Sequence, residues 1–174
     1  MRILLTGGSA CGKSTFAEAL AAHLPEPRYY VATMRPYDGE CLRRIARHRA
    51  QRAGRGFETL ERPADLASLA LPARGTALLE CVCNLCANEM FPEPDYALRD
   101  PFGAVMDGIA ALEAQCRDLI VVTNEVGAGG GDYSAATLRY VEVLGRINRA
   151  LAARFDCVCE LVCGIPLVHK GALP

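Results

Sequence analysis

Arg2-Ile3-Leu4-Leu5-Thr6-Gly7-Gly8-Ser9-Ala10-Cys11-Gly12-Lys13-Ser14 decides the fold. A short apolar run of strand length leads into G-x-x-x-x-G-K-S, and a helical pattern follows at once. Glycines let backbone amides converge on phosphate oxygens, and the helix that begins near Lys13 adds the positive end of its dipole. In such a loop Lys13 reaches the terminal phosphates and the Ser14 hydroxyl suits Mg²⁺. Gly7, Gly8, Ser9, Ala10, Cys11, Gly12, Lys13 and Ser14 are therefore the candidate triphosphate site. The motif binds a nucleoside triphosphate but does not name the reaction, since switches, motors and small-molecule kinases share it.

Beyond this segment, strand-length apolar runs alternate with helical patterns, which predicts an α/β fold with a mainly parallel sheet covered on both faces. The pattern predicts strands over 2–6, 28–32, 57–61, 76–81 and 118–123, with 156–163 as the last strand. Helices are predicted over 14–24, 38–53, 102–116 and 134–153. Three prolines make 92–101 an exposed loop, and Gly127 with Gly129–Gly131 marks another. No repeat or composition break divides residues 1–174, so one domain is expected.

Composition narrows the function classes. With 19 basic and 20 acidic residues among 174, the net charge is −1, and no basic field favours a nucleic acid. No apolar run approaches the roughly 20 residues of a membrane helix, and no secretory pattern follows Met1. A soluble cytoplasmic protein is expected. Nine cysteines, several inside apolar segments, read as buried thiols rather than disulfides. Cys83-x-x-Cys86 alone has ligand spacing, and without a second pair it is weak evidence for zinc.

Two further features bear on chemistry. Ala77-Leu78-Leu79-Glu80 looks like a buried strand ending in a carboxylate that helps hold the metal, directly or through water, although an acidic residue also ends strands without any such role. In Cys41–Arg52, helical spacing sets Arg44, Ile45, His48 and Arg52 on one face. Guanidiniums a turn away on either side would favour neutral imidazole and attract phosphate. Beside a triphosphate, His48 is then a candidate nucleophile toward phosphorus; the competing reading is a solvated basic helix.

In order, these blocks resemble one family nearly end to end, the bifunctional adenosylcobinamide kinase / adenosylcobinamide-phosphate guanylyltransferases of cobalamin biosynthesis. The resemblance runs through Thr6–Ser14, Tyr30-Val31-Ala32-Thr33, Asp38-Gly39-Glu40 with Arg44-Ile45-Ala46-Arg47-His48-Arg49, Phe57–Pro63 and Leu78-Leu79-Glu80-Cys81. It continues through Val121–Gly127, Gly145-Arg146-Ile147-Asn148 and Val162–Leu167. It implies a two-step chemistry: phosphorylation of the aminopropanol hydroxyl of adenosylcobinamide by ATP or GTP, then attack of His48 on GTP and passage of GMP to the new phosphate. It further implies a guanine-nucleotide site of Ala32, Thr33, Arg49, Arg52, Glu61 and Glu80, and a cyclic homo-oligomer, typically a trimer. The sequence departs from the family pattern at Gly129–Gly131, Cys83–Asn88 and His169, which bears on the corrinoid surface more than on the nucleotide chemistry. Two other readings compete: a kinase of some other alcohol without guanylyl transfer, and a non-catalytic nucleotide or metal sensor with zinc on Cys83 and Cys86.

Overall fold

The computed structural model describes residues 1–36, 39–52, 54–127 and 131–174; within 39–52 the side chains of Glu40, Cys41, Arg44, Arg47, His48, Gln51 and Arg52 lie outside the description. The elements are β1 (Arg2–Gly7), α1 (Lys13–Ala22), β2 (Arg28–Ala32), α2 (Gly39–Arg52), β3 (Phe57–Glu61), β4 (Thr76–Leu79), α3 (Val82–Met90), α4 (Phe102–Gln115), β5 (Asp118–Val122), α5 (Ala135–Arg154), β6 (Cys157–Val162) and β7 (Ile165–Lys170). The strands form one seven-stranded sheet in the order β3-β2-β4-β5-β1-β6-β7. β1 to β6 are parallel, and β7 runs antiparallel to β6. The fold is α/β, as the alternation of runs predicts.

The period-two alternation of strand side chains sorts the core into two layers. Leu4, Tyr29, Val31, Leu79, Leu119 and Val121 point to one face, where residues of α3, α4 and α5 cover them. Ile3, Leu5, Tyr30, Leu78, Ile120 and Val122 point to the other, against Ala17, Leu20 and Ala21 of α1. All four residues of β4 are buried, the signature of a strand packed on both sides.

Two elements depart from the expectation. The strand predicted over 76–81 ends at Leu79, and a helix begins at Val82. Val82, Cys83, Leu85, Cys86 and Met90 are its buried residues, a helical stripe in which Cys83 and Cys86 are core members. Nor is 156–163 the last strand. Cys163 (φ 51°) and Gly164 (φ 82°) both adopt positive φ, which makes the two-residue turn whose twist suits a hairpin. The chain returns as β7, every residue of which is exposed. Other boundaries agree to within two residues. The loop 92–101 is present and exposed over most of its length, whereas Ala128 to Gly130 lie outside the described residues.

Candidate functional site

The segment Gly7–Ser14 joins β1 to α1 at the C-terminal edge of the sheet. Gly7 (φ 136°) and Gly12 (φ 97°) hold conformations that favour glycine, and Ala10 sits at φ 57°. A Cβ on Gly7 would lie 2.5 Å from the Leu161 carbonyl oxygen, so close packing against β6 requires glycine there as well. α1 has no side-chain cap and no acidic residue in its first turn, which leaves its positive end open to an anion. Lys13 is only 7% exposed. Its Nζ donates to the carbonyls of Gly7 (3.0 Å) and Gly8 (2.5 Å) and lies 3.6 Å from Cys11 Sγ, so the ammonium rests inside the loop, where a phosphate would draw it outward.

The neighbouring strands fasten this cradle. The Gly164 amide of the β6–β7 turn donates to the Cys11 carbonyl at 2.9 Å, and the Glu125 amide, just past β5, donates to the Gly7 carbonyl at 3.2 Å. The Thr6 hydroxyl donates to Glu125 Oε1 at 2.9 Å.

A second concavity opens over β2, β3 and β4. A cavity of about 130 Å³ is lined by Ala32, Met34, Pro36, Leu42, Ile45, Arg49, Thr59, Glu61 and Glu80. Four of the predicted residues therefore meet in one place: Ala32, Arg49, Glu61 and Glu80. Arg49 pairs with Glu61. Glu80 is fixed by the end of β2: Oε1 accepts from the Tyr30 hydroxyl (3.0 Å), and Oε2 from the amides of Thr33 (2.9 Å) and Met34 (3.3 Å). Thr33, fully buried, ties its hydroxyl to the Cys81 carbonyl at 2.9 Å, and Asn88 Nδ2 donates to the Thr33 carbonyl at 2.9 Å. Sequence reading missed Tyr30, Met34 and Asn88 as supports of this carboxylate, because nothing in the chain pairs the end of β2 with the end of β4 until the sheet order is known.

β5 lies between β4 and β1, so two strand spacings, about 10 Å, separate the strand carrying Glu80 from the one that leads into the cradle. The structure thus places Glu80 on the cavity rather than beside Ser14. His48 and Arg52 belong to α2, but their side chains lie outside the described residues. Ile45 and Arg49, which flank position 48 on that helix, both line the cavity.

Cys83 and Cys86 are 6% and 0% exposed, and burial pushes the Cys86 thiol up to about 12. Among the described residues no group of three or more His, Cys, Asp or Glu is arranged to hold a metal ion. Both thiols lie on the buried face of α3, so the structure gives this pair a place in the core. Among the described residues no helix is long and apolar enough to cross a membrane.

Residues 3–169 match the family model described as cobinamide kinase / cobinamide phosphate guanyltransferase. The chain is 34% identical over 174 residues to the bifunctional adenosylcobalamin biosynthesis protein CobP of Pseudomonas aeruginosa, covering 98% of each. It is 35% identical over 184 residues to the bifunctional adenosylcobalamin biosynthesis protein CobU of Salmonella typhimurium, covering 98% of this chain and 100% of the relative. A CobU of Escherichia coli is 34% identical over 183 residues, with the same coverage.

Proposed function

The chain belongs to the cobinamide kinase / cobinamide phosphate guanyltransferase family, and from that premise we propose that it phosphorylates adenosylcobinamide with ATP or GTP and then transfers GMP from GTP onto the new phosphate, by way of a GMP adduct on His48. The observation that carries this reading is the pairing of two concavities on one sheet edge: a triphosphate cradle at Gly7–Ser14 and a cavity of Ala32, Arg49, Glu61 and Glu80 beneath helix α2.

In the kinase half the cradle amides and Lys13 hold the triphosphate and neutralise charge that develops on the transferred group. The second half needs a nucleophile at the α-phosphorus. Helical spacing puts position 48 on the side of α2 shared with Ile45 and Arg49, whose side chains reach the cavity. Guanine differs from adenine in offering two adjacent N–H donors, for which a carboxylate such as Glu61 or Glu80 is the matching acceptor. Glu80 is well suited because three donors, Tyr30 of β2 and the amides of Thr33 and Met34 just past it, already fix its orientation.

Magnesium belongs to this proposal. The Ser14 hydroxyl, half-buried in the first turn of α1, is a hard oxygen donor of the kind the ion takes; bound there, the ion would neutralise triphosphate charge. So does self-association as a trimer, supported by β7, an exposed edge strand on which Ile165 is 62% exposed beside Leu167 and Val168. A cytoplasmic location, residues 1–174 acting as one domain and the absence of a nucleic-acid partner complete the reading.

Incubation with Mg²⁺ and α-labelled GTP, followed by denaturing electrophoresis, tests it. Wild type is expected to take a label that survives alkali and is lost in acid, while His48→Ala takes none, a loss on the order of 10⁴-fold or more. Unlabelled wild type that still binds GTP would leave the alternative, a kinase of another alcohol.

A further inference from the structure

β3, β4, β5 and β6 each carry a glutamate on or just beyond their C-terminal halves: Glu61, Glu80, Glu125 and Glu160. Three are already engaged by a cation, an imidazole or several donors. Glu61 pairs with Arg49, Glu80 accepts three hydrogen bonds, and Glu160 Oε2 lies 2.8 Å from His169 Nε2. Glu125 differs. The neutral Thr6 hydroxyl donates to its Oε1 at 2.9 Å, and among the described residues no cation touches its carboxylate and no donor reaches Oε2.

Its position is as distinctive as its lack of a charged partner. β5 is hydrogen-bonded to β1, with Val122 opposite Leu5, so the residues that follow β5 run alongside the cradle. The Gly7 carbonyl accepts from both the Glu125 amide (3.2 Å) and Lys13 Nζ (3.0 Å). The ammonium that reaches for the terminal phosphate and the backbone that carries Glu125 therefore meet at one oxygen. Glu125 is exposed there, at the C-terminal edge of the sheet beside the cradle, so its carboxylate is open to an incoming alcohol.

We propose that Glu125 is the proton acceptor for the hydroxyl phosphorylated in the kinase step, an inference that rests on the kinase half of the proposed function. As the alcohol oxygen bonds to the γ-phosphorus, its O–H bond breaks and the proton passes to a Glu125 carboxylate oxygen. The bond from the γ-phosphorus to the β–γ bridging oxygen breaks, and the nucleoside diphosphate leaves with that electron pair. Exposure lets Glu125 return the proton to water. A carboxylate that accepts the acceptor-hydroxyl proton is the part this chemistry requires. Attack by an imidazole on the α-phosphorus deprotonates no alcohol, so the guanylyl step has no need of Glu125.

The test compares two reactions of the full-length protein. Glu125→Gln keeps an oxygen that accepts from Thr6 but removes the base; Glu125→Asp restores a carboxylate on a shorter arm. Phosphoryl transfer from ATP to cobinamide is expected to fall about 10²–10⁴-fold in kcat for Glu125→Gln, with KM for ATP within twofold of wild type and partial recovery in Glu125→Asp. Self-labelling by α-labelled GTP should proceed at the wild-type rate, which also reports that the variant is folded. Equal losses in both reactions would overturn the inference in favour of a shared positioning role, and full kinase activity in Glu125→Gln would overturn it outright. A wild-type protein that labels itself but does not phosphorylate cobinamide would overturn the kinase reading itself, and the inference with it.

Discussion

The cradle between β1 and α1 and the cavity beneath α2 share one sheet edge, yet they are built by different means. The cradle is held from within by Lys13 and from outside by backbone bonds to the β6–β7 turn and to the residue after β5's short extension, Glu125. The cavity has one firm wall, where Glu80 is clasped by Tyr30, Thr33 and Met34. Its other wall is α2, in which none of the described side chains is buried and Ile45 alone is half-buried. Most helical stability in proteins comes from packing an apolar face, and the described side chains of α2 offer little such face. The difference suits the division of labour in the proposed function, in which a preorganised anion site serves both reactions and α2 presents the residues of only one.

The largest effect that can break this division is expected at the cradle. Lys13→Ala removes the ammonium from the triphosphate, and both phosphoryl transfer to cobinamide and self-labelling by GTP should drop about 10²–10³-fold, the scale for loss of one electrostatic contact in a transition state. His48→Ala, by contrast, should spare the kinase step. Loss of only one activity in Lys13→Ala would show that the two reactions do not share the triphosphate site.

A smaller effect, on stability, comes from Gly7→Ala. The added methyl would meet the Leu161 carbonyl oxygen at 2.5 Å, and the backbone is held at φ 136°. Strain of this kind and the clash together are worth about 3 kcal/mol, which lowers Tm by roughly 6–12 °C in a domain of this size. Thermal unfolding without nucleotide reads it directly; a variant as stable as wild type would mean that β6 yields and the cradle is less rigid than its bonding indicates.

The same contrast explains what was legible in the sequence. The cradle is local: strand, loop and helix follow one another within Arg2–Ala22, and the residue types alone prescribe triphosphate binding. The cavity is assembled from four separate segments, so its membership had to come from family resemblance, and its supports at Tyr30, Met34 and Asn88 went unseen. α3 is not predicted because its nine residues are short for a helix and follow an apolar strand without a break, although Val82, Cys83, Leu85, Cys86 and Met90 form a buried helical stripe. β7 was missed because its turn is Cys163-Gly164 instead of Asn-Gly, the usual positive-φ pair. Glu125 belongs to the Val121–Gly127 segment, and only the strand order shows that β5 neighbours β1.

The smallest effect is expected at the α2 wall of the cavity. Ile45 lines the cavity from α2 and is half-buried. Truncating a fully buried isoleucine to alanine costs about 2–5 kcal/mol, but here much of the side chain is already in water, and alanine gains helix propensity. Ile45→Ala should therefore cost about 1 kcal/mol or less, a Tm change within roughly 4 °C. Its consequence for function should exceed that: with one apolar wall of the cavity removed, KM for GTP in self-labelling should rise severalfold while KM for ATP in the kinase step stays put. A large loss of stability would show that α2 is an integral part of the core. Equal shifts in both KM values would show that cavity and cradle bind one nucleotide as a single site, and the division between the two regions would have to be redrawn around that nucleotide.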